Sequence, residues 1–161
     1  MKTTKDLALS GIFLSFSLIL SYIESFLPIS FGIPYIKIGL VNIIVLISLY
    51  KSSASNVFVI QLLRVIIVSI VSGNIFALQF SFFGFIASFL VMYLLKNYTS
   101  LNIIVISCFG AICHNIAQLL TAALVLENTN ILNIAPLFII IGIFTGLIIG
   151  VITYIIFKRI N

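Results

Sequence analysis

Arg64 stands in the middle of the run Gln61-Leu62-Leu63-Arg64-Val65-Ile66-Ile67, which is otherwise almost wholly apolar. An arginine that snorkels to a membrane surface usually lies nearer the end of such a run. Its guanidinium therefore needs an acidic or carbonyl partner, and Glu24 is the only carboxylate that the topology set out below brings near. Two chemistries stay open. Arg64 ties to Glu24 inside the bundle, or its forked donors receive the carboxylate or phosphate of a ligand. A second concentration of polar groups lies in Gly110-Ala111-Ile112-Cys113-His114-Asn115-Ile116-Ala117-Gln118-Leu119-Leu120-Thr121. At about 100° per residue Ser107, Ala111, His114, Gln118 and Thr121 share a narrow helical stripe, with Asn115 on its flank. Such a stripe is either glue between helices or the wall of a pocket.

A third candidate is Ser30 to Asn42, where Gly32 and Pro34 interrupt the helical pattern near the outer surface and Lys37 and Asn42 each add a donor. It lines a cavity, or it is an interfacial loop with Lys37 among the headgroups. Asn74, in the turn Ser72-Gly73-Asn74, completes the expected pocket set of Glu24, Lys37, Asn42, Arg64, Asn74, His114, Asn115 and Gln118. Other chemistries find little support. No GxxxxGK[ST] phosphate loop, nucleophile elbow or HExxH zinc motif occurs. One histidine, two cysteines and three acids do not make a metal-ligand set, so no metal, cofactor or catalytic residue is expected. Asp6 is the only aspartate, so these residues cannot form paired aspartate sites for magnesium. Cys108 and Cys113 are five residues apart, on different helical faces, and read as small apolar residues rather than a disulfide.

The elements that position these groups follow from composition. The 161 residues are 63% hydrophobic and 7% charged, with a mean hydropathy of +1.39. A soluble fold has about a quarter charged residues and could not hide so much apolar surface. Lipid is the solvent that suits it, and the chain reads as one all-α integral membrane domain over residues 1–161. A bilayer core of about 30 Å takes roughly 20 helical residues. Between the charged positions six apolar blocks can be drawn, at about 7–26, 36–50, 57–72, 75–95, 101–126 and 134–157. The second is short, and is a tilted span or a half-span with a non-helical lead-in. The first is expected to be an uncleaved span, since no small-x-small cleavage site follows it.

Net charge is +5, but the lysines and arginines are scattered singly, which argues against a nucleic-acid partner. They report topology instead. With the N-terminus inside, Lys2, Lys5, Lys51, Lys96, Lys158 and Arg159 all fall on the inner side, as the positive-inside rule requires. The expected architecture is a six-transmembrane-helix bundle with both termini inside, in the cell membrane. Gly142, Gly146 and Gly150 form a doubled GxxxG ridge that suits close packing, either within the bundle or against a partner.

The stretches Ser21-Tyr22-Ile23-Glu24, Ile36-Lys37-Ile38-Gly39-Leu40-Val41-Asn42-Ile43, Leu62-Leu63-Arg64, Ser72-Gly73-Asn74 and His114-Asn115-Ile116-Ala117-Gln118-Leu119 resemble one bacterial membrane family over nearly the whole chain. It is known as the Gx transporters and as heptaprenyl diphosphate synthase component I. Its size and layout are similar to the substrate-binding S component of energy-coupling factor (ECF) transporters. That likeness implies capture of a vitamin-like small molecule outside, with a transmembrane coupling subunit and two cytoplasmic ATPases as partners. The coupling surface in that class uses small residues on the first span, which Ala8, Gly11 and Ser15 match loosely. The expected function is thus a non-enzymatic substrate-binding subunit for a small vitamin-like, anionic, aromatic or isoprenoid-related molecule. The alternatives are a stand-alone small transporter and a noncatalytic membrane accessory of an isoprenoid or quinone pathway.

Overall fold

The computed structural model describes residues 4–26, 39–73 and 75–160. These form six α-helices and a short 3-10 helix, with no strand among the described residues. The helices are α1 (Thr4–Phe26), α2 (Asn42–Lys51), α3 (Ala54–Ser72), α4 (Ile75–Tyr98), α5 (Ile103–Val125) and α6 (Ala135–Ile160). The 3-10 helix, Thr129–Ile134, leads into α6. Five of the helical segments are long and apolar enough to cross a membrane, and α2 is a shorter apolar helix. The chain is a multi-pass all-α membrane protein. Its large exposed side chains, such as Phe16, Leu124, Phe144 and Ile148, are what a lipid-facing surface requires.

Local chemistry sets the helix ends. Ser53 caps α3 by accepting from the backbone N–H of Asn56 at 3.4 Å, so residues 54–56, which lie outside the apolar block drawn at 57–72, join the helix. Asn102 caps α5 through N–H bonds from Ile104 and Val105 at 2.9 and 3.0 Å. Gly73 ends α3 in the left-handed region, with φ +62°, as its place in Ser72-Gly73-Asn74 suggests.

Contact registers give the helix directions. Asn42 meets Ser88 and Leu49 meets Lys96, so α2 and α4 run parallel. Ser17 meets Gln61, on the α1–α3 face that also brings Glu24 toward Arg64; those helices run parallel too. The ridge glycines face successively earlier residues of α5, Gly142 at Ile112, Gly146 at Cys108 and Gly150 at Ile104, which makes α5 and α6 antiparallel. A Cβ on any of the three would come within 2.8 Å of an α5 backbone Cα. The ridge therefore packs inside the bundle, and α5 and α6 touch backbone to backbone. Cys108 and Cys113 are free thiols.

Helix α2 occupies only the later part of the second apolar block. Ten residues rise about 15 Å, roughly half of the hydrocarbon core. Its first residue lies level with Ser88, near the middle of α4. Among the described residues before it the chain makes a turn: Gly39 adopts φ +88°, which glycine tolerates and other residues resist. Gly39 and Val41 are buried. The end of the segment expected near the outer surface thus sits deep in the bundle, enclosed by other helices, where irregular backbone is tolerated. Phe58, Phe85, Phe89 and Tyr93 form a row of rings with successive centroids 5.6 to 6.1 Å apart, of which Phe89 and Tyr93 are stacked. With Val45, Leu46 and Leu49 of α2 they make the main apolar core.

Candidate functional site

Helix α1 turns Ser17, Ser21 and Glu24 inward on one face, spaced four and three residues apart, and all three are buried. Opposite them α3 presents Gln61 and Arg64. Gln61 donates through Nε2 to Ser17 Oγ at 3.0 Å, and Arg64 Nε donates to Gln61 Oε1 at 3.3 Å. Arg64 is 4% exposed and interacts electrostatically with Glu24. It does not snorkel. A charge at this depth is tolerated only with an opposite charge and donors or acceptors around it, and Gln61 and Glu24 supply both.

Glu24 reaches further. Its Oε1 accepts a short hydrogen bond from the Gly39 N–H and a second, at 3.1 Å, from the Leu40 N–H. The carboxylate therefore joins α1 to the irregular lead-in of α2. On the other side of Gly39 lie Asn42 and His114. A Cβ placed on Gly39 would be 2.9 Å from Asn42 Nδ2 and 3.1 Å from His114 Cδ2. The His114 ring also meets Gly84, where a Cβ would lie 2.8 Å from His114 Cε1 and 3.2 Å from Gln118 Cγ. The imidazole is thus lodged between two glycines from different elements, with Gln118 one turn along α5. Asn42 accepts from Ser88 Oγ through Oδ1 at 3.3 Å.

Glu24, Asn42, Arg64, His114 and Gln118 thereby form one continuous buried polar path through α1, the α2 lead-in, α3, α4 and α5. The stripe on α5 is entirely buried: Ser107, Ala111, His114, Gln118 and Thr121 all lie inside. Asn115 is buried but turned elsewhere, donating through Nδ2 to the Phe138 carbonyl of α6 at 3.2 Å; it ties two helices together. Lys37 and Asn74 lie outside the described residues. Ala8, Gly11 and Ser15 lie together on the exposed side of α1, along a shallow groove of about 340 Å³ that Ile12, Phe16 and Ile19 complete.

Five participants were not singled out from sequence. Ser17 and Ser21 carried a signal, since with Glu24 they repeat at helical spacing on an apolar helix. Gln61 stands three residues before Arg64, one turn away on the same face. Gly84 and Ser88 form a small-residue pair four apart on α4, a pattern too common in membrane helices to point to a site.

Comparison with known proteins gives one positive result. The family model described as heptaprenyl diphosphate synthase component I matches residues 13–156, a stretch that includes every polar residue of the path. No curated protein and no solved structure matches the chain.

Proposed function

The chain belongs to the heptaprenyl diphosphate synthase component I family, and on that premise we propose that it is the substrate-capturing membrane subunit of a transporter. The observation that carries this reading is the buried polar path. A bundle that needed only to persist in lipid would have no use for Glu24, Arg64, His114, Asn42 and Gln118 joined through irregular backbone at mid-depth. Placing them there costs stability, and a ligand pocket is a reason to retain them. The ligand is a small molecule with a polar or anionic part, and the aromatic cluster of Phe58, Phe85 and Phe89, whose rings meet tilted and edge to face, suits a ring or isoprenoid portion beside it.

The bundle sits in the cytoplasmic membrane with six passes and both termini inside. Lys51 lies over the Phe157 ring and Lys96 over Tyr50, so residues expected on the inner side cluster at one end. Ligand enters from outside and reorientation is driven by partner ATPases through a coupling subunit docked on Ala8, Gly11 and Ser15. The protein binds its ligand without transforming it.

The family description favours a second reading, a membrane accessory of a prenyl diphosphate synthase. Catalysis by this chain itself fits that chemistry poorly. Chain elongation holds its diphosphates through magnesium on clustered aspartates, and Asp6 is the only aspartate here.

The test is mass spectrometry of small molecules retained by gently purified protein, alongside identification of copurifying proteins. Transport predicts a retained molecule that is lost from folded Arg64→Ala, together with ATPase and coupling subunits. Recovery of a soluble prenyl synthase instead, with no retained molecule, would replace it by the accessory role.

A further inference from the structure

The seam between α1 and α3 presents two sets of hydrogen-bonding groups that the polar path does not use. The first is the Ser21 hydroxyl. Ser21 is 1% exposed, and its Oγ has no hydrogen-bond partner among the described residues. A helical serine commonly turns back to the carbonyl four residues earlier. Ser10 and Ser15 of the same helix do so, donating to the Asp6 and Gly11 carbonyls at 2.8 and 2.9 Å. Ser21, on the buried face, does not.

The second is the outer fork of Arg64. Among the described residues its hydrogen bond runs through Nε to Gln61, and the four N–H groups of Nη1 and Nη2 make none. Glu24 attracts the guanidinium electrostatically, but no hydrogen bond joins the two among the described residues. Ser21 and Arg64 also come to one level. The helices run parallel with Ser17 at Gln61. From that contact Ser21 stands about 6 Å further along α1 and Arg64 about 4.5 Å further along α3.

We propose that Arg64 and Ser21 together receive a carbonyl oxygen of the ligand, and that the ligand is neutral at this end. A carbonyl oxygen carries two lone pairs, one for an Nη donor and one for the serine O–H. Charge decides between the polar and the anionic head that the transport reading leaves open. Glu24 already balances Arg64, so a carboxylate or phosphate would bury an unbalanced negative charge, and an ammonium a positive one. A carbonyl brings acceptor capacity and no charge. The substrate class is therefore a neutral carbonyl compound, such as a cyclic amide, with an apolar remainder. This deepens the transport reading and rests on it for the arrival of a ligand; the subsite itself is testable with a fragment.

The probe is 2-pyrrolidinone, with pyrrolidinium and acetate as its cationic and anionic counterparts. Arg64 and Arg159 are the chain's arginines, so guanidinium-15N arginine labelling gives two sets of side-chain signals. The exposed Arg159 is the internal control. In detergent-exchanged wild type, 2-pyrrolidinone should move the Arg64 Nη signals saturably and leave Arg159 in place. Pyrrolidinium and acetate at equal concentration should move neither. Ser21→Ala should raise the Kd of the probe roughly three- to tenfold, and Ser10→Ala should leave it unchanged. Ser21→Ala should also melt no lower than wild type, because the hydroxyl it removes bonds nothing in the ligand-free bundle. A serine with a merely structural role would show the reverse on both counts. The proposal is overturned by the absence of a saturable Arg64 shift or by an equal shift with acetate or pyrrolidinium. An unchanged Kd or a lowered melting temperature in Ser21→Ala overturns it too. A pyrrolidinone response with no molecule retained by wild type supports the subsite and removes transport. A retained molecule without a neutral carbonyl keeps transport and overturns the carbonyl assignment.

Discussion

Replacing Gly39 by alanine tests the central junction with one methyl group. Two costs add. An L-residue held at φ +88° loses about 1–2 kcal/mol to left-handed strain. The new Cβ would also lie 2.9 Å from Asn42 Nδ2 and 3.1 Å from His114 Cδ2, inside normal contact distance, and such overpacking costs about 1–3 kcal/mol. A total near 3 kcal/mol corresponds to a fall of roughly 6–12 °C in melting temperature for a chain of this length. Gly73→Ala is the control. Gly73 also has positive φ, at +62°, but nothing lies within 4 Å of a Cβ there, so only the strain remains, about 1 kcal/mol or roughly 2–4 °C. The assay is thermal unfolding in detergent followed with a thiol-reactive dye on Cys108 and Cys113. On the transport proposal, retention of a small molecule, scored on the same samples, should fail for Gly39→Ala alone. Equal falls for the two variants would refute the packing of Asn42 and His114 against Gly39.

Three further outcomes are expected. Arg64→Ala leaves the Glu24 carboxylate buried without its countercharge and should cost about 3–5 kcal/mol, read as a melting shift; Glu24→Gln/Arg64→Met should recover most of it, and equal losses in both would dissolve the pair. Gly146→Ala puts a Cβ 2.5 Å from the Cys108 Cα, which only a displacement of α6 relieves, so melting should fall and Cys108 should label faster in the folded protein; unchanged labelling would contradict the contact. In a cysteine-free background, Lys51→Cys, Lys96→Cys and Lys158→Cys should all react with an impermeant thiol reagent from one side of sealed vesicles, and labelling from opposite sides would break the proposed topology.

The long helices were legible because lipid simplifies the code. Apolar runs bounded by Lys51, Lys96 and Glu127 mark most elements without help from periodicity. Arg64 and His114 were legible for the same reason, since polar groups stand out against hydrocarbon. The sharp start of α2 was not. A left-handed Gly39 leaves no trace in hydropathy, and its deep position depends on acceptance by Glu24, fifteen residues earlier. Asn115 misled by adjacency: next to His114 on the helix, it lies 100° around it, enough to face the Phe138 carbonyl instead. Gly84 was illegible because its role is to be small beside a ring contributed by another helix.

The two sides of the bundle are joined by different kinds of adhesive. Between α5 and α6 the glycines bring main chain against main chain, an attraction of many short-range contacts that fades within an ångström and offers no intermediate stopping point. Between α1 and α3 the link runs through Ser17, Gln61, Arg64 and Glu24, groups that can trade one mate for another, including water, while the helices move apart. On the transport proposal, motion that admits cargo would peel α1 and α3 from each other, with the glycine-lined flank as the stationary jamb.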